Sequence, residues 1–337
     1  MKKIIFIVII IGVLVISLLP LNPFSEKEIE FVVTKGEGSR DIGFHLEQQK
    51  LVRSTVLFRI YVLTTGRSEK LQAGTYLLSP GMSMIEIVEK FAQGDVVKEY
   101  ITILEGWNIR DIGWYLENQG RFQAEELFEL VGFPAVDYRT VTDLPATTSF
   151  SYDFLLDKPL YVGLEGYLFP DTYAITHGEG LRDIVKRILQ NFNTKFTAEL
   201  REETKRQGKS IFEVITMASL LEKEVRTYQD KQKVAGILQK RLDIGMALQV
   251  DATVNYVTGR ADPGVSLKDT GINSLFNTYR YPGLPLGPIA NPGSESIEAA
   301  LNPIENPYWY YLSTPEGETI FSTTLEEHNI AKAKYLK

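Results

Sequence analysis

The spacing of hydrophobic positions changes along the chain, and each spacing predicts an element. Ile4 to Leu21 is an uncharged run, "IIFIVIIIGVLVISLLPL", preceded by Lys2 and Lys3. It comes close to the ~20 apolar residues that cross a bilayer core. The run ends in "LPLNPFSEKE", without a small-x-small cleavage site, so an uncleaved anchor fits better than a signal peptide. The lysines then stay on the cytoplasmic side. Glu26, Glu28, Glu30 and the rest of the chain lie beyond the membrane.

After the run the period changes to two and then to 3.6, and this happens twice. "RDIGFHLEQQ" (Arg40–Gln49) matches "RDIGWYLENQ" (Arg110–Gln119) without a gap. In the same register Phe31 and Val33 pair with Ile101 and Ile103, and Gly36 with Gly106. Each copy reads as a short strand, a glycine turn and an amphipathic helix. Ser83 and Glu86 have capping-box spacing and open a further helix that closes the first copy. This strand–helix–helix pattern resembles a LysM-like module, a class that binds glycan strands. A packing module with no ligand fits the pattern equally well.

"TDLPATTSFS" (Thr142–Ser151) reads as a linker. Beyond it, "LRDIVKRILQNFNTKF" places Ile184, Ile188, Leu189, Phe192 and Phe196 on one helical stripe. "KVAGILQKRL" does the same with Val234, Ile237, Leu238 and Leu242. Near the end, "YWYYLS" and "TIFSTT" flank a Pro/Gly turn and predict a hairpin. The expected fold class is α+β: an N-terminal transmembrane helix, a small LysM-like α/β module, then a mixed α+β catalytic domain. The expected boundaries are 1–28 for the cytoplasmic start, anchor and stalk, 29–97 for the LysM-like module, 98–155 for the second repeat and linker, and 156–337 for the catalytic domain.

Composition narrows the chemistry. With 44% hydrophobic and 23% charged residues, the chain is globular rather than disordered. A net charge of −7 without a basic run argues against nucleic acid as partner. Cysteine is absent, which removes thiolate metal sites and a cysteine nucleophile. His45, His177 and His328 lack metal-ligand spacing, so neither a metal nor a cofactor is expected. There is no P-loop, dinucleotide fingerprint or G-x-S-x-G elbow.

One carboxylate stands out. A helix run from Ile211 at about 100° per residue gathers Ile211, Val214, Ile215, Ala218, Leu221 and Val225 on one arc. Glu222 falls inside that arc, while Glu224 falls at the edge of the polar side and reads as ordinary surface. Burying a carboxylate is costly unless it is paired or neutralised. Two accounts remain open: an ion pair with Arg226, four residues on, or an apolar wall that raises its proton affinity and makes it a general acid.

Other segments carry polar and aromatic groups suited to a sugar groove. "LEGYLFPDTY" supplies Glu165, Tyr167, Asp171 and Tyr173. "LQVDATVNY", if extended, puts Gln249, Asp251 and Thr253 on one face. "NTYRYPGLPLGPIANPG" is rigid and holds Asn277, Tyr279 and Asn291. "STTLEEHN" needs no more than a helix start, with Thr324 and Glu327 as a capping box.

Together "EGYLFPDTY", "ASLLEKEV", "RLDIGMALQVDATVNY", "FNTYRYPGLPLGPIANPG" and "FSTTLEEHN" closely resemble, in order, the MltG or YceG-like family of membrane-bound endolytic murein transglycosylases. The resemblance covers nearly the whole chain. It departs at Ala252, where the family has proline, at Leu286, and around Thr319, where a histidine is often found. It implies a lyase that cuts the bond between N-acetylmuramic acid and N-acetylglucosamine without water. The substrate's C6 hydroxyl attacks, leaving a 1,6-anhydro end, so a single acid/base suffices where a hydrolase needs two carboxylates. It assigns that role to the first glutamate of the "EKE" segment, Glu222. No second carboxylate is compelling, the candidates being Asp171, Asp251 and Glu224.

The residues expected to bind substrate are those of the three segments above. The expected partners are peptidoglycan strands, the membrane and, because an anchored enzyme reaches nascent strands whose elongation it would end, peptidoglycan synthases. The rival reading is a non-catalytic, membrane-tethered peptidoglycan-binding scaffold.

Overall fold

The computed structural model describes residues 16–141, 150–260 and 264–336. Most of the apolar run and of the linker stretch lie outside these. Among the described residues no helix is long and apolar enough to cross a membrane. The chain divides into two compact units: Met1–Ile101 with Ala174–Glu179, and Thr102–Tyr173 with Gly180–Lys337.

In the first unit, β1 (Ile29–Val33) pairs antiparallel with β2 (Gly74–Leu78), Phe31 opposite Tyr76. Between them run α1 (Ser39–Gln48) and α2 (Thr55–Thr64), and α3 (Met84–Gln93) follows β2. Phe31, Tyr76 and Phe91 form the aromatic centre, Phe91 lying 5.8 Å from the Phe31 ring and 4.6 Å from the Tyr76 ring. Each such buried ring contributes ~1.5–3 kcal/mol. The Ser83–Glu86 capping box starts α3 as its spacing predicts. α2 and β2 were not foreseen.

The second copy of the repeat keeps the same order: β3 (Lys98–Thr102), which pairs with β4 (Thr172–Thr176), then α4 (Ile109–Asn118) and α5 (Ala124–Val131). Both predicted turns are real, with Gly36 at φ +88° and Gly106 at φ +77°. The repeated glycine inside each helix has a packing reason. A Cβ on Gly43 would lie 2.8 Å from the Phe58 ring, and one on Gly113 would lie 2.7 Å from the Phe128 ring. Phe58 and Phe128 occupy matching places, so the duplication continues into the second helix of each copy.

The rest of the second unit is helical. α6 (Leu181–Lys195) and α7 (Ala198–Arg206) lead to α8 (Ile211–Glu224), in which every residue from Val214 to Leu221 is buried. α9 (Tyr228–Asp243), α10 (Asp251–Thr258) and α11 (Ser294–Leu301) pack against it. The predicted hairpin forms from β5 (Tyr310–Ser313) and β6 (Thr319–Ser322), and α12 (Leu325–Tyr335) closes on it behind the Thr324–Glu327 box.

Two local expectations fail. The segment from Asp251 is α10, not an extended strand: Thr253, Val254 and Tyr256 turn inward at helical spacing, and Gly259 ends it at φ +70°. And α8 stops at Glu224, because Val225 is extended (φ −144°, ψ 155°) and Thr227 caps α9 by accepting from the Asp230 N–H. Val225 and Arg226 therefore belong to no helical arc.

Candidate active site

The last turn of α8 places Glu222 and Glu224 in different surroundings. The Glu222 carboxylate meets Lys231 Nζ of α9 at 3.3 Å, with side chains only 8% and 4% exposed. It also accepts from Ser296 Oγ at 2.6 Å and from the Gly293 N–H at 3.0 Å. Arg226 takes no part. Its guanidinium lies at the hairpin turn, where a Cβ on Gly317 would approach Nη1 to 2.7 Å. The buried-charge problem posed by Glu222 is thus met by Lys231. Gly293 brings the Glu105 carboxyl against the same corner, since a Cβ there would sit 1.9 Å from it and would push that side chain aside. Burial raises the proton affinity of Glu105, and the Glu222 charge adds to the effect.

Glu224, expected at the surface, lines a cleft of about 390 Å³ with Asp251, Asn255, Lys223, Arg110 and Trp114. Burial raises its carboxyl to about 7, and the charge of Asp251 adds to this. Hydrogen bonds from Tyr311 and from the Ala252 N–H, with the Arg241 charge, pull the other way. The partners come from distant chain segments. Tyr311 is in β5, and Ala252 and Asp251 are in the first turn of α10. Arg241 is buried in α9 and held by the carbonyls of Leu248 and Trp309. A carboxyl that titrates near neutrality can give up a proton and take one back.

The other expected site residues separate into two groups. Asp251 lines the cleft and accepts a short hydrogen bond from the Tyr279 hydroxyl. Gln249, exposed and at φ 54°, stands just before α10.

The remainder build the walls. Glu165 is 5% exposed, and its oxygens accept from the Ile109 N–H, the Tyr256 hydroxyl and Asn291 Nδ2. Burial pushes its carboxyl up to about 8. Asn291 is fully buried and also ties Leu168 N–H and the Trp107 carbonyl. Thr253 bonds Thr278, and Asn277 bonds the carbonyls of Thr270 and Ile272. Tyr167 is buried in an aromatic cluster with Phe154 and Phe192. Tyr173 donates to the Phe169 carbonyl, and Asp171 accepts from Asn191, with Lys195 at 3.7 Å. None of these wall residues lines the cleft. Glu165, Asn291, Thr253, Asn277 and Tyr173 are buried polar groups with satisfied partners, which support a site rather than touch its ligand, whereas the buried Tyr167 hydroxyl has no partner and Asp171 is partly exposed.

The sequence reading missed Tyr311, Trp114 and Arg110. Trp114 and Arg110 carried a signal, since both lie in the repeated segment. Tyr311 carried none beyond its place in a predicted strand. His328 packs on the Tyr310 ring, and burial lowers it to about 4. Among the described residues no cluster of metal-ligating side chains occurs.

Known proteins share this architecture. The YceG-like family profile matches residues 31–334. An endolytic murein transglycosylase of Bacillus subtilis (strain 168) is 32% identical over 319 residues, covering 94% of this chain and 87% of that protein. One from Streptococcus pneumoniae serotype 2 (strain D39) is 27% identical over 339 residues, covering 95% of this chain and 60% of its own length. The crystal structure of a yceG-like protein from Listeria monocytogenes superposes with a TM-score of 0.60 at 31% identity, covering 91% of this chain and 99% of that one. With the match running from the first strand through the last helix, the chain belongs to the YceG-like family.

Proposed function

We propose that this chain is an endolytic murein transglycosylase with Glu224, rather than Glu222, as its acid/base. The observation that carries the reading is the Glu224 carboxyl, raised to about 7 and opening on a cleft of about 390 Å³. Protonated, it donates to the oxygen leaving the anomeric carbon of the muramyl residue. As carboxylate it then takes the proton of the muramyl C6 hydroxyl, which closes onto that carbon as the 1,6-anhydro ring. The proton lost in the second step equals the one given in the first, so no water is consumed. Asp251, beside Glu224, faces the positive charge that develops at the anomeric carbon. Tyr279 steadies Asp251, and Trp114 offers a ring face to a sugar.

The apolar run before residue 22 is read as a membrane anchor that holds the catalytic unit outside the cytoplasm, near nascent strands and the synthases that make them. The βααβ arrangement of the first unit suits a LysM-like module. The rival, a non-catalytic scaffold, would have no use for a carboxyl poised near neutrality.

Digestion of purified glycan strands, followed by mass spectrometry, tests the reading. Anhydro-muramyl ends are expected from the wild type and from Glu222→Gln among its folded molecules, but not from Glu224→Gln. Products heavier by one water would identify a hydrolase. Strands left uncut by the folded wild type would favour the scaffold.

A further inference from the structure

The duplication preserves more than its cores require. In α1 and α4, Ile42 and Ile112, Gly43 and Gly113, and Leu46 and Leu116 are buried in both copies, and packing accounts for them. Asp41 and Asp111 lie in the first turn, where a carboxylate stabilises a helix start. Packing and capping do not account for Arg40 and Arg110, or for Phe44 and Trp114. Phe44 and Trp114 are each 50% exposed. Four residues apart, each arginine and ring share one helix face. A single exposed ring is ordinary on a protein surface. The same cation and ring, kept outside the core in both copies, calls for a shared use.

In the second copy that use can be located. Arg110 and Trp114 line the cleft that holds Glu224. Arg110 marks the far end of α10, where a Cβ on Gly259 would come within 3.4 Å of its Nη1. The length of α10 separates this end from the Ala252 N–H that binds Glu224, about 10 Å at the rise of a helix. A strand lying along the cleft would set a ring on Trp114 and a substituent on Arg110 while Glu224 faces the scissile bond.

We propose that Arg40 and Phe44 form a second glycan-binding patch, on the first unit, for the same ligand class as the cleft: amino-sugar strands bearing carboxylate substituents. The apolar face of a sugar ring covers Phe44, and Arg40 pairs with a carboxylate. The Arg110 charge also acts on the buried Glu165 and Tyr256 behind the cleft. The inference rests on the murein reading of the cleft.

The test uses the full chain carrying Glu224→Gln, so that strands are held without being cut, and co-sedimentation with purified murein sacculi. Adding Arg40→Ala and Phe44→Ala is expected to lower the retained protein about fivefold. Phe44→Trp, which installs the ring of the second copy, is expected to hold the parent level. Equal retention by the double variant, or loss with Phe44→Trp as large as with the double variant, would overturn the patch. Strands stripped of peptide leave only the muramyl carboxylate. Retention that persists on them assigns Arg40 to that group, and retention that disappears assigns it to the peptide stem. Failure of the wild type to release anhydro ends would instead count against the murein reading.

Discussion

Glu222 and Glu224 stand two residues apart on the last turn of α8, and the first is closed by Lys231 while the second opens on the cleft. At about 100° per residue they diverge by roughly 200° around the helix axis. The two substitutions should therefore fail in different ways. Glu224→Gln should fold with kcat lowered about 10²–10⁴-fold, the usual worth of a general acid/base. Glu222→Gln leaves the Lys231 ammonium buried without its counter-charge and should lose about 3–5 kcal/mol of stability. Denaturant melts and single-turnover cutting assays on each variant would separate the two effects.

The pH–rate profile should carry a limb near pH 7 from Glu224. The Tyr311 hydroxyl bonds the carboxylate and so favours the charged form. Tyr311→Phe removes that bond, and the limb should move to higher pH. A limb that stays in place would show that Tyr311 does not set the proton affinity of the acid.

Stability should also depend on pH through Glu224. Its folded value, about 7, lies above the 4.5 of an ordinary glutamate. Between those values the folded chain holds a proton that the unfolded chain has released, so stability falls as pH rises through the window. Glu224→Gln abolishes this loss. The variant should melt at a higher temperature than wild type above pH 7, by the equivalent of about 1–3 kcal/mol, and the gap should close towards pH 4.5. Thermal melts at several pH values would check it.

Glu165 should behave as a structural residue. Its carboxyl group joins the start of α4, the last turn of α10 and the Asn291 loop in a buried site. Glu165→Ala leaves these donors without an acceptor, at about 1–3 kcal/mol for each buried group. Loss of cooperative unfolding, measured by circular dichroism, is expected before any question of binding arises.

Much of the framework follows from local pattern. The stripe Ile184, Ile188, Leu189 and Phe192 became the buried face of α6, and the Ser83 and Thr324 boxes open helices where their spacing placed them. These elements need only neighbours a few residues away. The site does not. A helical wheel treats α8 as an isolated cylinder running through Val225, although the Thr227-x-x-Asp230 cap already signals a break before α9. Nor can a wheel represent Tyr311 or Asp251, which reach Glu224 only in the folded chain. α10 departs from the strand expectation because a short segment of alternating polar and apolar residues suits a strand as well as a helix.

The end of α8 at Glu224 has a consequence for how the acid is tuned. Its carboxylate sits where the carbonyl-rich, partly negative end of one helix meets the amide-rich, partly positive start of another, through Ala252. The two ends act on the proton with opposite sign. Small changes in the 244–250 connection, which sets where α10 begins, would then shift the working pH of the enzyme while every residue of the cleft stays the same.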